Sequence, residues 1–109
     1  MAIDPEALAH ALEALGIAWA TADGAARLKE RTARILHAEI ANAYRDTVRS
    51  AEGRHDLATA HPRYRETILA AEELRTAANV ARARYEALQA KIELIRTRAA
   101  TERAAMTLR

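Results

Sequence analysis

The sequence predicts an all-α protein, an antiparallel, coiled-coil-like helical hairpin with a short N-terminal helix docked on it. Half of its residues are apolar, yet only 4% are aromatic and none is Phe, so alanine, the best helix former, supplies much of the apolar content. Three Gly and two Pro in 109 residues are too few for the turns of a sheet protein. These observations favour long helices in a single domain.

The first helix is predicted over residues 4–15. Asp4 is a suitable N-cap, Pro5 fits the first helical position, and leucines then recur at spacings of four and three. We expect Gly16 to end this helix. A helix of about three turns must dock on another element to be stable.

A second helix is predicted over residues 17–52, with a break or kink at residues 23–24, where Asp precedes Gly. We expect Gly53 to close it. Its predicted apolar face consists of Leu28, Ile35, Leu36, Ile40, Tyr44 and Val48.

The hairpin turn is predicted at residues 53–62, and Pro62 suits the start of the next helix. Residues 63–108 contain neither Gly nor Pro and are predicted to form one long helix. Alternating steps of four and three along it predict a coiled-coil seam. The seam consists of Leu74, Ala78, Ala81, Tyr85, Leu88, Ile92, Ile95, Ala99, Glu102 and Met106. We expect it to pack inside the hairpin; pairing with another chain is the alternative.

Basic residues flank this seam on both sides. Arg82, Arg96 and Arg103 share one flank, and Arg84, Lys91 and Arg98 share the other. Two copies paired through this seam would place cations opposite cations, so self-pairing through it is disfavoured and an acidic partner is expected.

Three acidic partners fit these flanks. Residues 1–24 hold four acids and no Lys or Arg, so the N-terminal helix can cover the end of the long helix in the same chain, which we prefer. The same contact can form between the chains of a dimer. The third partner is an external acidic surface, of a protein or of a phosphate backbone.

The predicted turn holds the best candidates for a loop site: Arg54, His55, Asp56, His61 and Arg63. A metal held by His55 and His61 is one interpretation, and polar groups capping helix ends, with Asp56 as an N-cap, is the other. We favour the second and expect no metal or cofactor. No spacing typical of catalysis is present, so the protein is predicted not to be an enzyme.

Nucleic-acid binding is the alternative function, because the sequence pI is about 9.4. Acids such as Glu86 and Glu93 interrupt any basic stripe, so a protein partner is preferred. No apolar run is long enough for a membrane span and the start lacks a basic leader, so we expect a cytoplasmic protein. A long apolar seam that one shorter helix cannot cover predicts a homodimer.

The segment at residues 81–103 reads ARARYEALQAKIELIRTRAATER. It resembles the C-terminal helix of small helical proteins encoded by bacteriophages and prophages. The resemblance covers about a quarter of the chain and transfers no functional residue. It implies a viral accessory or inhibitor protein that acts by binding a host or viral partner.

Overall fold

The computed structural model describes residues 3–108, which form three α-helices: α1 (Pro5–Ala43), α2 (Ala51–Ala60) and α3 (Pro62–Thr107). α1 and α3 pack antiparallel, and the short α2 contacts both helices. The described residues include no strand, so the predicted all-α hairpin is confirmed. The molecule is a rod of 84 × 23 × 14 Å.

Two of the three helix starts follow the sequence signals. At α1, Asp4 Oδ1 accepts a hydrogen bond from the Glu6 backbone N–H at 3.0 Å. At α3, His61 Nδ1 accepts one from the Arg63 backbone N–H at 3.1 Å. Each cap is followed by proline, which has no N–H to satisfy, so both starts have few unpaired donors.

α1 is one continuous helix, so the predicted end at Gly16 and the break at residues 23–24 are wrong, and no separate N-terminal helix exists. Gly16 packs beside the Tyr85 ring, and a Cβ there would lie 3.4 Å from Tyr85 Cε2, which is an ordinary contact distance. A glycine within a helix costs roughly 1 kcal/mol. Packing along α3 offsets that cost, and the helix continues.

The second helix ends earlier than predicted, because α1 stops at Ala43 rather than near residue 52. The connection that follows is held by Arg54, whose Nη1 donates to the backbone oxygens of Val48 at 2.8 Å and of Arg49 at 2.9 Å. These bonds satisfy carbonyls that would otherwise face the connection unpaired.

The predicted turn at residues 53–62 is mostly helix α2. Ser50 is its N-cap and accepts a hydrogen bond from the Gly53 N–H at 3.0 Å. Gly53 lies in the first turn of α2 and does not end the previous helix. A Cβ there would lie 2.7 Å from Ser50 Oγ, so the glycine leaves room for the capping side chain. Asp56 lies inside α2 and is not its N-cap.

The core consists mainly of alanines. The buried apolar residues among those described are Ala26, Ala33, Ile40, Ala58, Ala71 and Ala78. Leu28 and Ile35, predicted to face inward, are 65% and 51% exposed. Small side chains let helix backbones approach closely, and α1 therefore turns its alanines, not these larger residues, toward α3.

The predicted register of α3 is confirmed along most of the helix. Leu74, Tyr85, Leu88, Ile92 and Ile95 are half-buried.

The seam is not covered to its end, however. Met106 is 72% exposed, and every residue from 96 to 108 is exposed. α3 has 46 residues against 39 in α1, so its last turns extend beyond the helix that covers the rest.

Candidate functional site

The basic residues that flank the α3 seam are all exposed. Arg82 Nε pairs with Glu86 Oε1 at 2.8 Å, and its guanidinium lies 5.7 Å from the Trp19 ring centroid. Arg96 Nη1 lies 3.7 Å from Glu93 Oε1. Both ion pairs join neighbours on one exposed helix, and such pairs contribute little to stability.

The predicted ionic contact between these bases and the acidic start of the chain does not form. Within residues 3–108, neither Arg96 nor Arg103 pairs with Glu6 or Glu13.

The start of α1 instead meets α3 through apolar side chains. Leu8 and Leu12 line one groove together with Ile92, Ile95 and the side of Arg96. The N-terminal part of α1 is therefore docked in the same chain, by hydrophobic contact.

The end of α3, residues 96–108, is called the terminal segment from here on. Ala99 and Met106 continue the register of the buried seam but have no α1 residue against them, since both are exposed. Arg98 and Arg103 form no ion pair with any described residue. The segment thus continues the stripe with the apolar Ala99 and Met106 on either side of Glu102, and cations edge it.

An ion cluster that sequence reasoning missed joins α1 to α3. Arg75 Nη1 donates to Asp23 Oδ1 at 2.8 Å, and its Nη2 and Nε donate to the two oxygens of Glu30 at 2.7 and 3.2 Å. Arg27 Nε also pairs with Asp23 Oδ2 at 2.8 Å. The seven-residue spacing of the two acids, which puts them on one helix face, was the available signal.

Hydrogen bonds from Arg75 lower the pKa of Asp23 and of Glu30, against the opposing effect of partial burial. The hydrogen bonds to Glu30 and Asp23 in turn raise the pKa of Arg75. A carboxyl whose pKa is lower in the folded than in the unfolded chain stabilises the fold above its unfolded pKa. That contribution is lost as the pH falls through the folded pKa.

We therefore expect Arg75→Met to lower the melting temperature at pH 7, because two neighbouring carboxylates lose their shared cation. The difference from the wild type should begin to shrink as the pH falls below about 4, the ordinary carboxyl pKa, and should vanish once the pH is below the lowered pKa values of both acids in the folded chain. Thermal melts followed by circular dichroism between pH 2 and 7 measure it. Arg45→Met, which removes only an exposed pair with the neighbouring Asp46, is the control. A melting-temperature difference between variant and wild type that does not change with pH would contradict the role given to the Arg75 ion cluster.

The structure brings His55 together with His37 and not with His61, the pair that the sequence suggested. His55 contacts His37 of α1, with ring centroids 4.7 Å apart, and His37 also lies edge-on to Tyr64 at 4.9 Å. His37 Nε2 is 3.0 Å from Thr59 Oγ1. His61 instead caps α3, so the two predicted histidines do not share a site.

This aromatic cluster joins the three helices at the closed end of the hairpin. Among residues 3–108 no group of three or more His, Cys, Asp or Glu residues is placed to hold a metal ion. His61 caps α3, as the structural interpretation predicted, whereas Arg54 bonds to the connection between α1 and α2 and not to a helix end. Asp56 and Arg63 are exposed.

The fold and these surfaces define an all-α antiparallel helical hairpin with one helix extended beyond the other. Comparisons with protein-family models, curated proteins and solved structures find no match to the chain. No helix in the described residues is long and apolar enough to span a bilayer.

Proposed function

We propose that the protein is a non-catalytic protein-interaction module, which forms a homodimer and binds an acidic protein partner through the terminal segment. One observation carries this proposal. The apolar stripe of α3 continues past the part that α1 covers, so that Ile95 is half-buried while Met106 is 72% exposed. A stripe that no described residue of the same chain covers is suited to a partner from another chain.

The chemistry of the terminal segment defines the partner. An amphipathic helix is recognised by an apolar groove that takes side chains at helical spacing. Ala99 and Met106 supply that spacing, and Arg96 and Arg103 flank them. The matching surface is an apolar groove with acidic edges and a donor group to meet Glu102.

The homodimer accounts for the large surface of the single chain. A folded protein of 12.0 kDa is expected to expose about 6,000 Å². This chain exposes 8590 Å². The excess of roughly 2,600 Å² is of the size that permanent interfaces bury.

The radius of gyration supports the same proposal. It is 23.8 Å, whereas a compact domain of this length is expected to have about 13 Å. A thin rod of this kind buries little apolar surface within one chain. In the proposed dimer, contact with a second chain buries more of it.

The clusters around Arg75 and His37 support a structural role over a catalytic one. The polar atoms of Arg75, Asp23 and Glu30 are bonded to one another between α1 and α3. His37 is bonded to Thr59 and packed between aromatic rings. Such groups hold helices together.

The resemblance of residues 81–103 to phage helical proteins adds that the partner is a host or viral protein.

The test compares two double variants in affinity capture from the native host. We expect Arg103→Glu with Met106→Asp to lose the partner, because it reverses a charge and places a carboxylate in the apolar stripe. The matched control is Arg65→Glu with Leu69→Asp, which changes an exposed Arg and an exposed Leu near the other end of α3. Retention of the same partner by both variants would contradict the proposal.

Nucleic-acid binding is the competing outcome of this test. Anisotropy of a labelled duplex at 50 and 200 mM salt measures it directly. Contacts to several phosphates would make affinity fall by about a thousandfold or more over this range. We expect no such binding, because Glu86 and Glu93 alternate with the bases of α3.

A further inference from the structure

α3 carries a second regular stripe on the side away from α1. It starts at Thr76 and again alternates steps of four and three. We call it the outer stripe; it consists of Thr76, Val80, Ala83, Ala87, Ala90, Leu94, Thr97, Thr101, Ala104 and Leu108. Each position from Ala83 to Thr97 follows a seam residue by two, which is about 200° around a helix.

The outer stripe is apolar or uncharged throughout, and all of it is exposed. Val80 is 45% exposed and Leu94 is 51% exposed, in a protein whose own core is made of alanine. A stripe of this period over more than four heptads is the pattern of a helix that pairs with another helix. Nothing in the described chain covers it.

The charges beside the outer stripe differ from those beside the buried seam. On one side lie Glu86 and Glu93, and on the other lie Arg84, Lys91 and Arg98. The buried seam has bases on both flanks, which disfavours pairing with itself. The outer stripe has one acidic and one basic flank, which permits it.

Resting on the homodimer of the proposed function, we propose that the outer stripe joins two copies of the chain, with their α3 helices parallel. In a parallel pair, a residue on one flank of the stripe faces a residue on the opposite flank of the other helix, five positions later in the sequence. Glu86 then meets the partner's Lys91, and Glu93 meets the partner's Arg98. In an antiparallel pair like charges would meet, so the parallel arrangement is selected.

The existing ion pairs of these acids are compatible with this assembly. Glu86 pairs with Arg82 and Glu93 with Arg96, both within an exposed helix. Such pairs are weak, and each carboxylate has a second oxygen to accept from a partner chain. The alanines of the outer stripe allow close approach, so the flanking charges come within reach.

The test is a pair of complementary charge variants, with mass measured by analytical ultracentrifugation at one concentration. We expect the wild type to be a dimer. Glu86→Lys with Glu93→Lys should give monomers, and so should Lys91→Glu with Arg98→Glu, because each makes both flanks alike. An equimolar mixture of the two variants should form a heterodimer and so restore the dimer mass. Circular dichroism confirms that each variant keeps its helix content.

Matched controls place the same charge changes outside the outer stripe. Glu52→Lys with Glu66→Lys and Arg63→Glu with Arg65→Glu alter exposed residues of α2 and α3 and should leave the dimer intact. A monomeric wild type would overturn the homodimer itself. A dimer that survives both outer-stripe variants would overturn only this interface, as would a mixture that stays monomeric.

Helix direction is tested by cross-linking, which is simple because the chain has no cysteine. In a parallel pair Ala90 lies opposite its own copy, so Ala90→Cys should form an intermolecular disulfide under mild oxidation. Ala38→Cys, on an exposed position of α1, is the control and should remain reduced. Absence of the Ala90→Cys cross-link in a dimeric sample, or equal cross-linking of both variants, would overturn the parallel arrangement.

Discussion

Ile40→Asp is expected to remove a large part of the protein's folding stability. Ile40 is 8% exposed and is the largest of the buried apolar side chains among the described residues. The substitution removes its contacts and buries a carboxylate without a partner. Together these effects cost at least ~3 kcal/mol, a large part of the stability of a small domain.

Ile35→Asp is the matched control, because it makes the same change five residues away on the same helix. Ile35 is 51% exposed, so its carboxylate stays in water and little stability should be lost. Urea unfolding followed by circular dichroism compares the two variants. Equal midpoints would show that α1 is rotated from the orientation described.

Ala78→Leu is expected to lower the stability by about 1–3 kcal/mol through overpacking. Ala78 is 2% exposed and lies one turn from Arg75, on the face of α3 that packs against α1. A leucine there can fit only if the two helices move apart. That movement would also lengthen the hydrogen bonds between Arg75 and the acids of α1, so two interactions are weakened by one change.

The control for this overpacking is Ala77→Leu, on the neighbouring and exposed position. Leucine is nearly as good a helix former as alanine, so this variant should melt within a few degrees of the wild type. Thermal melts at one protein concentration make the comparison, since dimerisation would make melting depend on concentration. If Ala78→Leu raises the melting temperature, a cavity and not close helix contact lies beside Ala78.

The long helix could be predicted from sequence because its signals are local. Pro62 marks its start, no Gly or Pro follows, and Leu88, Ile92 and Ile95 repeat at the spacing of one helix face. The structure confirms that face. What the pattern did not predict was where its partner ends, because that depends on the length of α1 and on the position of the turn.

α1 was harder to predict because its buried face consists of alanines. The larger Leu28 and Ile35 were assigned to the buried face from sequence, but within α1 the residues with no exposed surface are Ala26 and Ala33. A buried helix face is usually predicted from the positions of large apolar side chains. Where two helices pack closely, the buried positions require small side chains, so this method assigns the wrong face.

The charged residues show the same division. The six bases that flank the seam are all exposed on α3, but within residues 3–108 none of them forms the predicted pair with the acids in the first half of α1. Arg75, which does join the two helices, was not identified from sequence. Its partners Asp23 and Glu30 are about 50 positions away in the chain, and only the antiparallel register brings them together.

The sequence by itself determined the helical class, the caps of α1 and α3, and the register of α3, because these follow from propensities and spacings within a few turns. The tertiary structure decided that Gly16 and Gly24 stay helical, that alanines form the core, and that the terminal segment has no cover. These outcomes depend on how closely two distant helices approach. That distance is set by packing across the whole interface and not by any local stretch of chain.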